Sequence, residues 1–134
     1  MQTSFIVATF WVVALIVPGH AKDLGHGESE FVNSCAPCHG MKGQGDGPMA
    51  KELKRAPADL TRLAQRNGGR FPYSRVFATI DGRYIVPGHG SREMPVWGRK
   101  FLPADQALYG EAGGQVVTEE RIHELTGYVQ SLQR

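Results

Sequence analysis

Cys35-Ala36-Pro37-Cys38-His39 is the stretch on which the reading of this chain turns. Two thiols three apart can add across the two vinyl groups of one haem, and the adjacent imidazole is then held beneath the iron as its proximal ligand. Both cysteines of the chain lie in this pentapeptide and the histidine follows directly. Two other uses of the thiols compete. A thioredoxin-like redox pair wants a strand–helix–strand context, and the flanking pattern is helical. A structural disulfide accounts for the cysteines but leaves His39 idle. The expected cofactor is therefore one haem c, covalently bound through Cys35 and Cys38, with His39 as an iron ligand.

The iron has a second axial position, for which Met and His are the side chains considered. Met1 falls in a segment expected to be removed. Met41 and Met49 follow His39 too closely to pass readily to the opposite haem face. Met94 stands 55 residues after His39, between Glu93 and Pro95. Its thioether is a soft ligand whose pairing with His raises the reduction potential. The rival is His89, five residues earlier, which would lower the potential. The plainer reading of His89 is a loop residue near the haem edge, and that of His26 and His123 is solvated surface.

Outward from this centre, residues 5–17 are apolar except Thr9, and Pro18-Gly19-His20-Ala21 follows. Small residues at Gly19 and Ala21 match a signal-peptidase site, so residues 1–21 read as a secretory signal and 22–134 as the working domain. The apolar run is shorter than the roughly 20 residues that span a bilayer. No Lys or Arg precedes it, and an uncleaved membrane anchor is the alternative. Export places the domain in the periplasm, with no stable membrane insertion once the signal is cut.

A chain of 134 residues holds one domain. Fifteen Lys and Arg against thirteen Asp and Glu leave a net charge of +2, too small a basic field to argue for nucleic acid. Two cysteines cannot build a disulfide-dense scaffold or a four-cysteine zinc site.

The pattern is all-α, several short helices joined by long loops. Residues 28–34 read as a helix with Phe31 on its buried face. Four glycines between Gly40 and Pro48 demand irregular backbone. Pro48 can start a short helix through Lys54, and Asp59 can cap a helix over 60–65 that Gly68-Gly69 stops. Residues 72–80 form another, with Val76, Phe77 and Ile80 on one face. Tyr84–Arg92 reads as loop, and Pro103–Tyr109 as a further short helix. Thr118 reads as the cap of the strongest helix, with Glu119 and Glu120 in its first turn and Ile122, Leu125, Val129 and Leu132 as its apolar stripe.

The domain resembles the class I cytochromes c, small monohaem electron carriers. Gly27 and Phe31, then Cys35-Ala36-Pro37-Cys38-His39-Gly40, match the family's first helix and haem site. Leu125-Thr126-Gly127-Tyr128 matches its C-terminal helix, which crosses the first. Gly45-Asp46-Gly47-Pro48 looks like its proline loop, so the resemblance implies that the Pro48 carbonyl accepts from the His39 ring. Glu93-Met94-Pro95-Val96-Trp97-Gly98 looks like its methionine loop. The stretch from Asp59 to Arg92 is longer than in the smallest members and rich in Arg.

The function this implies is periplasmic one-electron transport rather than enzymatic catalysis, with redox protein partners as donor and acceptor. A dedicated haem subunit of a periplasmic or membrane oxidoreductase complex is the alternative, and a haem enzyme or sensor with a displaceable sixth ligand comes third. Lys42, Lys51, Lys54 and Arg55 could steer an acidic partner. Arg83, Arg92 and Trp97 are candidates for holding the propionates.

Overall fold

A computed structural model describes residues 25–83 and 94–134. The expected signal (1–21), the Tyr84–Arg92 segment and with it His89 and Arg92 lie outside the described residues.

Helix α1 spans Gly25–Ser34 and buries Gly27 and Phe31, which stand four apart and so share one face. Cys35 interrupts it: its N–H still bonds the Phe31 carbonyl at 2.8 Å, but the next turn is a new helix, α2, at Ala36–His39. Pro37 suits this first turn, where its missing N–H would have no partner. Gly40, at φ 79°, ends α2 in a conformation that a Cβ would oppose.

The next elements are shorter and tighter than the sequence implies. Pro48–Glu52 is a 3₁₀ turn. The expected 60–65 helix is split into a 3₁₀ turn at Leu60–Arg62 and helix α3 at Leu63–Arg66. Asp59 does cap it, accepting from the Thr61 N–H at 2.9 Å and the Thr61 hydroxyl at 2.6 Å. Helix α4 covers Tyr73–Asp81, buries Val76 and Ile80, and stops at the left-handed Gly82.

Helix α5 runs Trp97–Ser131, and Gly110 (φ 76°, ψ 174°) breaks it into two arms. Thr118 is therefore not a cap. It is a fully buried residue of the second arm, and its hydroxyl donates to Asp105 Oδ2 of the first arm at 2.7 Å. The expected helix at Pro103–Tyr109 is part of that first arm. A Cβ at Gly114 would lie 2.5 Å from the Gln106 amide nitrogen, so the arms fold closely back on each other.

Helices α1 and α4 pack on α5. Phe31, Ile122 and Leu125 are fully buried at the centre, with Val76, Ile80, Phe101, Tyr128 and Val129 around them. Each such apolar side chain contributes about 1.5–3 kcal/mol. Phe31 meets Tyr128 with ring centroids 5.1 Å apart, and Gly27 lets the Glu124 carbonyl of α5 come close to α1. The described residues are all-α, with no strand among them. No helix among them is long and apolar enough to cross a membrane.

Candidate functional site

The Phe31 anchor determines where the thiols stand. The α1 backbone hands directly to Cys35, and His39 closes the following turn with its N–H on the Cys35 carbonyl at 2.8 Å. Cys35, Cys38 and His39 thus share one turn of chain against the core. Cys35 is buried and Cys38 half-buried, and no disulfide joins them. Burial, helped by Glu30 and Cys38, pushes the Cys35 thiol up to about 12. A thioredoxin-like nucleophile needs the opposite shift.

His39 is oriented through its ring. Nδ1 lies 3.0 Å from the Ala58 carbonyl oxygen. A carbonyl can only accept, so Nδ1 carries the proton and Nε2 keeps its lone pair. Burial holds the ring below the usual imidazole range, although the Ala58 bond opposes this. A neutral imidazole with Nδ1 engaged and Nε2 free is the form that ligates a metal.

The partner carbonyl corrects an expectation, because it belongs to Ala58 and not to Pro48. The glycine loop is bound tightly beneath α2: Gly45 N–H bonds the His39 carbonyl at 2.8 Å and Gly47 N–H bonds that of Cys38 at 3.1 Å. Pro48 then leaves on the exposed surface as the start of its 3₁₀ turn. The chain returns ten residues later, tied by Leu60 N–H to the Gly43 carbonyl at 2.7 Å. That return passes over Gly45, where a Cβ would meet the Pro57 carbonyl, and it presents Ala58 to the imidazole.

Met94 is half-buried and packs against the hydrophobic core. The junction of α4 with α5 holds its segment. Gly82 lies against Val96, and Gly98 lies against the Asp81 carboxylate. Asp81 is fully buried and pairs with Arg83 Nε at 2.6 Å. Its Oδ2 has no hydrogen-bond partner among the described residues. Arg83 reaches on to Gln115 at 2.9 Å, so its guanidinium is committed to protein. Trp97 stacks on Phe101 with centroids 5.5 Å apart.

Leu60, Leu63, Phe71, Phe77, Met94 and Trp97 pack on the core yet stay partly exposed. With two thiols and a ligating imidazole on one turn, the residues present fit a covalently held haem. Lys42, Lys51, Lys54 and Arg55 are exposed. A groove of about 610 Å³ beside α2 is lined by Val32, Ala36, Pro37, Met41 and Lys42, and neither His39 nor Met94 lines it.

Sequence reasoning missed Ala58, because a backbone acceptor leaves no side-chain signal. It also misplaced His123. That ring is half-buried, bonds the Tyr73 hydroxyl at 3.0 Å and lies 4.4 Å from the Phe77 ring. Searches against protein-family models, curated proteins and solved structures found no match for the chain.

Proposed function

We propose that this chain is an exported, periplasmic one-electron carrier of the class I cytochrome c type. The observation that carries the reading is the state of His39. Its Nδ1–H is committed to Ala58, leaving Nε2 as a donor on the same turn as both thiols. Cys35 and Cys38 would hold the haem covalently, and His39 and Met94 would supply its iron ligands. Bound there, the haem supplies reversible one-electron exchange between ferric and ferrous iron. The chain's own part would be to keep the His39 and Met94 side chains in place, so that little rearranges as the charge changes. Half-buried apolar side chains that pack on the core, Met94 and Trp97 among them, would help to limit water, and the exposed Lys42, Lys51 and Lys54 would steer a redox partner.

The test is an optical spectrum of the oxidised and reduced protein, with Met94→Ala beside it. The reading expects a weak far-red sulfur-to-ferric-iron band and sharp reduced α and β bands. It expects the far-red band to vanish in Met94→Ala, and haem to stay with the chain through denaturation. A wild-type high-spin spectrum, or haem lost on denaturation, overturns it.

A second reading, as the haem subunit of a larger oxidoreductase, is favoured by one feature. Leu108, Tyr109 and Val116 are 75%, 55% and 69% exposed around the Gly110 break. Large apolar side chains gathered on one turn-back are more often covered than left in water. Copurification with a larger enzyme that fails in Leu108→Ser/Val116→Ser would support this reading over the free carrier.

A further inference from the structure

We infer that Gln133, next to the C-terminus, is a positioning residue for the axial histidine. The inference rests on the proposed haem ligation, and the geometry it uses is that of the chain alone. Gln133 is half-buried and its amide is fully engaged. Oε1 accepts from the Ala64 N–H at 2.9 Å. Nε2 donates to the Leu60 carbonyl and to the Val129 carbonyl, both at 2.8 Å. One side chain thus joins the last turn of α5 to both ends of the 60–64 segment. The Arg134 N–H adds a bond to the Thr61 carbonyl at 3.1 Å.

The staple matters because of what stands just before that segment. Ala58 is two residues upstream of Leu60, and its carbonyl is the acceptor for His39 Nδ1. Leu60 itself is bonded on its other side to Gly43. The Ala58 carbonyl is therefore placed by two clamps, the glycine loop that follows His39 and the amide of Gln133. A conformationally free chain could turn this carbonyl away at little cost, since Ala58 is exposed. A firm Nδ1–H···O bond makes the imidazole a stronger donor through Nε2 and favours the ferric state. Loosening the carbonyl weakens that donation, so the potential should rise.

The experiment compares wild type, Gln133→Ala and Gln133→Glu as purified full-length chains. The last keeps the acceptor for Ala64 but loses both donors. Ile122→Val serves as a core variant that touches no bond to this segment. Two quantities are read: the midpoint potential, and the solvent exchange and tautomer of the His39 ring by ¹⁵N NMR. Gln133→Ala should raise the potential and quicken Nδ1–H exchange tenfold or more. Gln133→Glu should shift both less and in the same direction, and Ile122→Val should leave both in place. Unchanged values in both Gln133 variants, or an equal shift in Ile122→Val, would overturn the inference. If the wild-type chain carries no haem, the proposed function fails, while the His39 tautomer and ring exchange still decide the role of Gln133.

Discussion

Across the break at Gly110, the Thr118 hydroxyl donates to Asp105 Oδ2 at 2.7 Å, and the other carboxylate oxygen of Asp105 takes Arg121 at 2.8 Å. Both Thr118 and Asp105 are buried, and Arg121 continues to Glu30 of α1 at 2.7 Å. Its guanidinium also lies 3.9 Å over the Phe101 ring. One carboxylate therefore ties the two arms of α5 together and, through Arg121, ties both to α1, the helix that leads into Cys35.

Removing that carboxylate should be costly. Asp105→Ala leaves Thr118 without its acceptor and Arg121 with Glu30 alone. The expected loss is about 3 kcal/mol, near the low end for breaking a buried pair because Arg121 is partly exposed. Thr118→Val removes one hydrogen bond to a charged group and should cost about 1–2 kcal/mol. Urea unfolding of the two variants checks the order. Equal losses would mean that Arg121 gains nothing from Asp105.

The close packing of α1 on α5 predicts a second loss. A Cβ at Gly27 would overlap the Glu124 carbonyl and crowd the Tyr128 Cβ at 3.3 Å. Both obstacles are close to backbone, so neither can swing aside. Gly27→Ala should cost about 1–3 kcal/mol through overpacking, seen as a lower denaturation midpoint. The proposed haem attachment should survive, since Cys35, Cys38 and His39 are untouched.

What sequence could show, and what it could not, divides along physical lines. The Cys35–His39 motif, the Phe31 anchor, the Asp59 cap and the stripe of Ile122, Leu125 and Val129 are side-chain patterns with fixed spacing. Their signals are local. Thr118 failed because Thr followed by two glutamates has the composition of a helix start, while its actual role depends on Asp105, thirteen residues earlier. Gly113 and Gly114 hid the helix that runs through them, since glycine disfavours helix. Yet Gly114 is needed where the second arm meets the Gln106 backbone. Ala58 could not be found at all, because any residue supplies a carbonyl and only the folded path of the glycine loop selects this one.

That path gives a third prediction. Gly45 has φ 83° and lies directly under the Pro57 carbonyl. Gly45→Ala must strain the backbone and push the Pro57–Ala58 segment outward together. The expected cost is about 1–3 kcal/mol for the left-handed position alone, with a weakened His39–Ala58 bond as its signature. A ¹⁵N spectrum of the ring would show it. If Gly45→Ala loses stability while the His39 tautomer stays single, the loop supports the fold without orienting the ligand.

The chain without any cofactor should have a stability window bounded by His39 and Cys35, two residues of the candidate site. His39 is held below its ordinary 6.5 in the folded chain, by burial. As pH falls through 6.5 the unfolded chain takes up a proton that the folded chain resists, so stability declines until the depressed folded value is passed. Cys35 sets the opposite edge. Its thiol is pushed from 9.0 to about 12 by burial, then by Glu30 and Cys38. Above pH 9 the unfolded chain gives up this proton first, and stability declines again as pH rises toward 12. Urea midpoints measured across pH should fall at both ends. Cys35→Ser should lift the alkaline edge and leave the acid edge in place. An acid edge that survived His39→Gln unchanged would assign it to other groups.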